Sequence, residues 1–477
     1  MQDTKISSVF KKFRVFFLCA FLFFFLVPAF LSAQEEVGIR HNDKVVLSIE
    51  GAIGTAYQSN LEIQIQESQI KAAEAGVVEA KSYFLPKVNL DGSYTYRDAS
   101  LNNNLAVSSG SKKDIGILTG YQNDNEMGLV VTESVYSGGA NRARFKEAGV
   151  SLKIQQETLR ARKLDVAFEA KRLFYGLMLA YETRDIMEDL LFQAQAHYED
   201  TEHMFNQGTA SKFDVLQSKV HVSTIVPEVV KAANSIELIE AELKKLLDYS
   251  MDDYLEITGT LVSPFIEINE KSFLSEAYLE KPEMILKALG VDLSKWAIEM
   301  AKSTHRPQVD VSGGYNYKSN DWADMFNKRH NNWTAEVAVT IPIFDGFYTK
   351  ARVDAAKERY AQAVLSEDDF SQQLAVDIRR ACLDLKKARD IIISQEDTVV
   401  EAEEALRISE VGFKNGVATN LDVIDAMVSL SHVRENLSNG RYDYLMAKAY
   451  LDKTRGREWA VYDDERDESN AIEKNMT

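Results

Sequence analysis

Proline is scarce in this chain, and its absence from two long stretches bears on the helices. Only 7 of the 477 residues are proline, and none lies in residues 87–226 or after Pro342. A proline inside a helix removes a backbone hydrogen bond and clashes with the preceding turn, so long helices need proline-free sequence. The two stretches can therefore hold helices much longer than those usual in globular proteins.

Residues that build reactive sites are also few. Of the 2 cysteines, Cys19 lies in an N-terminal segment that we expect to be removed, and Cys382 alone excludes an internal disulfide and a cysteine-rich metal site. The 7 histidines are scattered, and His197 and His203, six residues apart, lie on different faces of a predicted helix. The sequence has no nucleophile elbow and no phosphate-binding glycine loop. We expect no enzymatic activity, no cofactor and no metal site.

Basic charge and long apolar runs are in short supply. The 55 Lys and Arg against 73 Asp and Glu give a net charge of −18, which argues against nucleic acid as a partner. Residues 15–27 form an apolar run between a basic segment and a small-residue cleavage site, Leu31-Ser32-Ala33. The run is shorter than the roughly 20 residues that span a bilayer, so we predict a secretory signal at 1–33, with a retained anchor as the alternative. No other stretch predicts a transmembrane helix.

The chain contains an internal two-fold repeat. Pro86 aligns with Pro307 at an offset of 221 residues, and Gly208 aligns with Gly416 at an offset of 208. The offset changes once, in an Asn-, Ser- and Gly-rich segment at 98–124, which predicts an exposed loop in the first copy. Each copy is predicted to contain a helix that ends at a proline, two strands, a long helix and a second helix.

The long helices carry a coiled-coil pattern. Residues 346–411 predict one helix of 66 residues, about 100 Å long. Its apolar positions repeat every 3.5 residues, which is typical of left-handed coiled coils. The predicted seam residues are Leu374, Ile378, Ala381, Leu385, Ala388, Ile392, Val399, Ala402, Leu406, Ser409 and Phe413, and in the first copy Val166, Ala170, Leu173, Leu177, Ala180, Arg184, Met187, Leu191, Ala194, Tyr198, Thr201 and Phe205.

Alternating apolar and polar residues predict strands at 87–97, 308–318 and 333–343, and more weakly around 127–135. A strand of about ten alternating residues is long enough to cross a bilayer when tilted. A half-buried sheet in a soluble domain shows the same alternation but needs a covering layer, and the helices already pack on each other. Aromatic residues near the strand ends are typical of membrane interfaces, and here they are Tyr94, Tyr96, Tyr315, Tyr317 and Trp333.

Four strands per chain predict an oligomer. Strands in lipid must close into a barrel, since an open edge leaves backbone groups unpaired. The smallest ordinary barrels have about eight strands, so several chains must share one barrel. The strand count alone leaves two, three or four chains open.

These features resemble the TolC-like outer-membrane factor family over nearly all of the chain after the signal. The resemblance is carried by Leu85-Pro86 and Arg306-Pro307 before the strands, by Ile-Pro-Ile-Phe-Asp-Gly at 341–346, and by the turns 208–214 and 416–422, each Gly-x-x-x-x-x-Asp. It implies a mostly α fold with a small membrane β-barrel. Three chains would contribute four strands each to a shared 12-stranded barrel in the outer membrane, and their coiled-coil helices would form a periplasmic α-barrel.

The resemblance also implies the function and the partners. The protein would be a passive exit duct of a tripartite efflux or type I secretion system, surrounded by outer-membrane lipid. A periplasmic adaptor (membrane fusion) protein and an inner-membrane RND or ABC transporter would dock at the lower end of the tunnel. A periplasmic coiled-coil scaffold or adaptor without a pore is the alternative function.

The predicted segments follow from the repeat and from the resemblance. They are the signal at 1–33, an N-terminal segment with the first helix of repeat 1 at 34–86, hairpin 1 at 87–136, the helical pair of repeat 1 at 137–263, the first helix of repeat 2 at 264–307, hairpin 2 at 308–344, the helical pair of repeat 2 at 345–456, and an acidic tail at 457–477.

The resemblance places a periplasmic aperture at the turns that contain Gly208 and Gly416. Asp422 and Asp425 lie three residues apart on one helix face. In a trimer they would gather six carboxylates, whose repulsion should raise some pKa values and attract cations. Asp214 would lie on the neighbouring turn. The alternative is that Asp214 and Asp422 only occupy the first turn of a helix, where acids favour the positive end of the dipole.

The aperture departs from the best-known family pattern. That pattern has a latch made by an arginine two residues after the glycine and a tyrosine before it. The corresponding residues here are Ala418 and Phe413, which can form neither the ion pair nor the hydrogen bonds. We expect hydrophobic packing around Phe413 and contacts with the adaptor to hold the aperture closed.

Overall fold

The computed structural model describes residues 45–96, 104–106, 116–118, 123–319, 321–322, 325–327 and 331–457. The predicted signal, most of the predicted loop at 98–124 and all but the first residue of the predicted tail lie outside these ranges. No helix within them is both long enough and apolar enough to cross a membrane.

The helices form two series of four with the same lengths. The first series is α1 (Ile49–Ser59), α2 (Leu61–Ser82), α3 (Ala140–Asn206) and α4 (Lys212–Leu247), of 11, 22, 67 and 36 residues. The second series is α5 (Glu270–Glu280), α6 (Pro282–Ser303), α7 (Tyr348–Lys414) and α8 (Asn420–Arg455), again of 11, 22, 67 and 36 residues. The long helix predicted at 346–411 is therefore present as α7, which ends three residues later.

Two helices, and not the single one predicted, precede each strand pair. Asn60 and Lys281 adopt extended backbone angles that separate the two helices. The Asn60 side chain then accepts a hydrogen bond from the Glu62 amide at 2.9 Å, which caps the start of α2. In the second half Pro282 starts α6, where its fixed φ suits the first helical position.

The long helices pack as two antiparallel hairpins, α3 with α4 and α7 with α8. In α7 every predicted seam residue is buried except Val399 and Ser409, which are half-buried. In α3 the seam is buried or half-buried except at Phe205, which is exposed. Pro227 lies inside α4, so the carbonyl of Ser223 lacks the amide donor that would follow in a regular helix.

The core is divided among several clusters along the hairpins. One lies mainly among α1, α3 and α4, and a second lies among α5, α7 and α8. A third cluster joins α3, α4, α7 and α8 near their turns and contains Phe413. The two hairpins therefore share apolar packing at the end where each hairpin has its turn.

The predicted strands form one antiparallel sheet in the order β2-β5-β7-β8. They are β2 (Lys87–Tyr96), β5 (Asn123–Ser137), β7 (Gln308–Ser319) and β8 (Asn331–Thr340). β8 ends three residues before the predicted limit, because Pro342 cannot donate to the ladder. Shorter strands pair β1 (Val45–Leu47) with β6 (Leu255–Ile257) in parallel and β3 (Asn104–Ala106) with β4 (Gly116–Leu118) antiparallel.

β5 contains a β-bulge at the end of the segment predicted around 127–135. The pairing of β5 with β7 shifts between Ser134 and Tyr136, so Val135 is an extra residue. The shift turns Tyr136 to the face of Val309, its partner on β7. The weak alternation before the bulge has another source, because Val130 lies on the polar face of the sheet and Glu133 lies on the apolar face.

Candidate functional site

The two hairpin turns, residues 207–211 and 415–419, lie together with the adjoining helix ends in a region that we name the tip. Gly208 and Gly416 have φ of +81° and +71°, which an L side chain would strain. The turns make the same hydrogen bonds, from the amides of Gly208 and Gly416 to the carbonyls of Phe205 and Phe413 at 2.9 and 3.0 Å. Both predicted turn glycines are thus placed where a helix ends in a left-handed residue.

Asp214 and Asp422 cap the helices that leave these turns. The Asp214 carboxylate accepts from the Ser211 amide at 3.0 Å, and the Asp422 carboxylate accepts from the Thr419 amide at 2.7 Å. In return each Ser or Thr hydroxyl accepts from the aspartate amide at 3.2 Å, which completes a capping box. The hydrogen bonds from Thr419 lower the pKa of Asp422. The cap geometry fits the alternative interpretation of both residues, and the six-carboxylate cluster stays a prediction.

Asp425 differs from Asp422 in its surroundings. Asp425 lies one turn further along α8 and is exposed. Its charge acts on His221 of α4, which faces it across the hairpins. Of the two predicted aperture aspartates on α8, Asp425 is the one without a capping role.

Phe413 is buried in the tip, with 7% of its surface exposed. Its ring lies 5.0 Å from the ring of His197 on α3, and it belongs to the cluster that includes Val423 and Met427 of α8. Phe413 therefore joins α3, α7 and α8 within one chain. That this packing holds an aperture closed stays a prediction.

A buried polar cluster at the tip was missed from the sequence. Oδ1 of Asn420 lies 2.7 Å from Nε2 of His197 and accepts from the Ser218 hydroxyl at 2.9 Å. Nδ2 of Asn420 donates to the Asp214 carbonyl at 3.3 Å and to Oε1 of Gln217 at 3.2 Å. No local pattern relates His197 to Asn420, because 223 residues separate them in the sequence.

The strand register gives the main sheet one apolar and one polar face. Side chains opposite each other across the strands share a face. The apolar face carries Val88, Leu90, Tyr94, Tyr96, Met127, Leu129, Val131, Tyr136, Val309, Val311, Tyr315, Tyr317, Trp333, Ala335, Val337 and Val339. Its polar residues are Glu133 and, at the end away from the helices, Asn123, Asn125, Ser319 and Asn331. Most of the apolar residues are exposed, Trp333 by 75%. Nothing in the described ranges covers this face.

The five predicted interface aromatics lie at one end of the apolar face, away from the helices. Tyr315 is paired with Trp333 across the strands. Tyr317 follows on the same face, and its ring lies 5.4 Å from the ring of Tyr315. Tyr94 and Tyr96 occupy the same end of β2. The predicted aromatics therefore form a band at the loop end of the sheet.

A second aromatic band, at the helix end, escaped the sequence reasoning. It consists of Phe84, Tyr136, Phe344, Phe347 and Tyr348, all exposed. Eleven residues at about 3.3 Å each separate Trp333 from Phe344, and a strand tilt of about 40° reduces this span to near the roughly 25 Å apolar band of membrane barrels. Tyr136 follows the bulge in β5 and the other four residues flank the strands, so the strand period could not reveal them.

Phe347 occupies an unusual backbone position in the second band. Its φ is +65°, a region that costs an L residue about 1–2 kcal/mol. The residue 208 positions earlier is Gly139, at φ +93°. The exposed ring of Phe347 lies 5.6 Å from the ring of Phe344, within the second band.

Comparisons with known proteins agree with this geometry. A family model described as outer membrane efflux protein matches residues 52–248 and 273–457. The outer membrane protein TolC of Vibrio cholerae is 24% identical over 453 residues, which cover 90% of this chain and 95% of that protein. The alkaline protease secretion protein AprF of Pseudomonas aeruginosa is 19% identical over 312 residues, 65% of each chain. The crystal structure of the Campylobacter jejuni CmeC outer membrane channel matches with a TM-score of 0.76, 17% identity, and coverage of 90% of this chain and 89% of that one.

Proposed function

Because the chain belongs to the outer membrane efflux protein family, we propose that it is the passive exit duct of a tripartite efflux or type I secretion system. Membership of this family makes the protein a TolC-like efflux or secretion channel of the outer membrane. The proposal adds the trimer, the shared barrel and the partners.

The observation that carries the proposal is the uncovered apolar face of the main sheet. Apolar side chains on four adjacent strands face outward, and aromatic bands border them at both ends. In water such a face would be a large apolar patch, whereas in a bilayer it is the expected outer surface. The polar face, with Asp91, Asp310, Asn316 and Glu336, would then line the lumen.

The sheet also supports closure by several chains. Its outer strands β2 and β8 each pair on one side only among the described strands. Backbone groups at such an edge cannot stay unpaired in lipid. Pairing β8 of one copy with β2 of the next closes a ring, and three copies of four strands give the 12-stranded barrel that the resemblance implies.

The helices support a tunnel made from neighbouring copies. Opposite its buried seam, α7 carries a second row of exposed apolar residues, which are Leu365, Val376, Leu383, Ile393 and Val400. A helix with apolar rows on two faces packs between two neighbours, as in a closed ring of helices. At 67 residues, α3 and α7 would extend about 100 Å into the periplasm.

The duplication is supported by backbone details as well as by helix lengths. Left-handed residues occur in pairs 208 positions apart, at Gly138 and Gly346 and at Asp248 and Gly456. Each chain supplies two similar hairpins, so a dimer would have eight long helices and a trimer would have twelve. The hairpins of the first and second halves would alternate around the tunnel.

The tip supports docking of a periplasmic adaptor. Phe213 and Val417 lie there as apolar side chains that are 72% and 86% exposed. An adaptor would cover these residues and link the duct to an RND or ABC transporter in the inner membrane, which would supply the energy. The name of AprF connects that relative with protease secretion, so both efflux and protein secretion are within the proposal.

The experiment is to purify the protein from outer membranes in detergent, determine its mass and record currents in planar bilayers. We expect a mass of three chains and ion-conducting channels. A protein that fractionates with soluble periplasmic proteins and conducts nothing would favour the coiled-coil scaffold or adaptor instead.

A further inference from the structure

We propose that Asn420 is the positioning residue that holds the α7/α8 hairpin closed against the α3/α4 hairpin at the tip, through a bridge to His197 and Ser218. This tip bridge consists of His197 on α3, Ser218 on α4 and Asn420 on α8. The inference rests on the proposed function, because it assigns what regulates the aperture of that channel.

Asn420 is placed to hold three helices at once. Its side chain is 2% exposed, and all four of its hydrogen-bonding positions are used. The Asp214 carbonyl can only accept, so the amide nitrogen must face it, and Oδ1 faces His197 and Ser218. Nε2 of His197 therefore carries the hydrogen that is donated to Asn420.

Asn420 has no counterpart with the same role in the first half of the chain. The residue 208 positions before Asn420 is Lys212, at the start of α4, and it is exposed. The first residue of α8 thus docks into the first hairpin, whereas the first residue of α4 has no such role. Opening the second hairpin must break the Asn420 bonds and leave His197 and Ser218 without their partner, which is costly in a buried site.

Other polar links between the hairpins here are weaker. Lys414 pairs with Asp200 at 3.1 Å and Arg434 pairs with Asp189 at 3.6 Å, and most of these side chains are well exposed. Exposed ion pairs contribute little and are screened by salt. The tip bridge lies instead beside the apolar cluster of Phe413, where water is excluded and a lost hydrogen bond is not replaced.

The bridge is also sensitive to pH. Burial lowers the pKa of His197. The hydrogen bond with Asn420 opposes this shift, as do Asp200 of α3 and Glu410 of α7, whereas Lys414 of α7 adds to it, and the effect of burial is the largest. Burial likewise lowers the pKa of His221 on α4, with His197 acting in the same direction and Asp425 of α8 opposing. Each histidine is therefore neutral when packed, and protonating one disfavours protonating the other.

The sign of the pH effect follows. A histidine whose pKa is lowered by packing stabilises the packed state above its ordinary value of about 6.5, and this stabilisation is lost as the pH falls. Protonation keeps the Nε2 donor but places a positive charge in a site that is shielded from water, and this desolvation is the unfavourable effect. The closed tip is therefore favoured at neutral pH and loosened in acid.

The test compares variants of the full-length trimer in planar bilayers at about pH 7.5 and about pH 5.5. Asn420→Leu removes the bridge at similar volume, and we expect an open fraction at the higher pH at least about tenfold above wild type, because all four hydrogen bonds of the Asn420 side chain are lost. His197→Gln keeps a donor without a titrating group, so we expect a closed channel with a much smaller response to acid. His203→Gln, exposed on the same helix, is the matched control and should behave as wild type.

Ser218→Ala is a milder variant in case Asn420→Leu fails to assemble. It removes one of the two donors to Oδ1 and should raise the open fraction about threefold. The inference is overturned if wild type conducts normally and both Asn420→Leu and Ser218→Ala match it, or if His197→Gln keeps the full acid response. A wild-type protein that never conducts would instead defeat the proposed function.

Discussion

At the start of α8, the Asp422 carboxylate accepts hydrogen bonds from Thr419, whereas Asp425 one turn later is exposed. Both would add charge to the aperture of a trimer, but only Asp422 also stabilises the helix start. The same helix start carries Asn420, so a change at Asp422 disturbs the aperture in two ways.

Replacing Asp425 with asparagine should weaken cation binding at the aperture without changing stability. The concentration of a trivalent cation that blocks half the current should rise by about tenfold, because the trimer loses three adjacent charges. Asp422→Asn should weaken the block and also lower the unfolding temperature. Equal unfolding temperatures for the two variants would contradict the capping role of Asp422.

Asp422 also predicts an acid dependence. Its pKa is lowered by the hydrogen bonds from Thr419, so its contribution to stability is present above the ordinary carboxyl pKa and is lost as the pH falls below it. The unfolding temperature of wild type should fall more steeply in this acid range than that of Asp422→Asn.

Phe413→Ala tests the packing at the tip. Truncating a buried phenylalanine costs about 3 kcal/mol or more, and here the loss would fall on the contacts between α3, α7 and α8. We expect a larger conductance of the closed state in planar bilayers. Phe213→Ala, at an exposed residue of the same tip, is the control, and an unchanged closed-state conductance in Phe413→Ala would contradict the prediction.

At the scale of elements, the sheet faces predict the effect of a charge. Val337 lies on the apolar face and Glu336 beside it lies on the polar face. A lysine on the lipid side near the bilayer centre costs about 2–4 kcal/mol. Val337→Lys should reduce the amount of assembled protein in outer membranes, while Glu336→Lys should not. Equal yields of the two variants would place the sheet outside the membrane.

The helices and strands were predictable because their signals are local. The seam around Leu374 and Ile378 repeats every 3.5 residues, and the alternation on β7 repeats every two, so each periodicity identifies its own element. The bulge at Val135 and the break at Asn60 each depend on one residue, and neither changes the average pattern around it. The tip bridge could not be predicted, because its parts come from three helices whose packing the sequence does not state.

At the scale of the molecule, the second apolar row of α7 predicts what holds copies together. Ile393→Glu places a charge in that row, whereas Ser394→Glu places one beside it on the same exposed helix. A charge buried between chains is costly unless paired, so Ile393→Glu should shift the detergent-solubilised protein towards single chains. Mass determination by light scattering gives the comparison, and a stable trimer in both variants would exclude this row from the interface.

Pro227 gives the two hairpins different mechanical properties. α4 lacks one backbone hydrogen bond near its middle, whereas α8 has Glu435 at the matching position and no proline inside. A helix bends most easily where its backbone hydrogen bonds are interrupted, so α4 can bend near Pro227, whereas α8 is stiffer along its length. A displacement of the tip would bend α4 near Pro227, whereas in α8 the same displacement would be transmitted to the core around Tyr444, towards the far end of the helix.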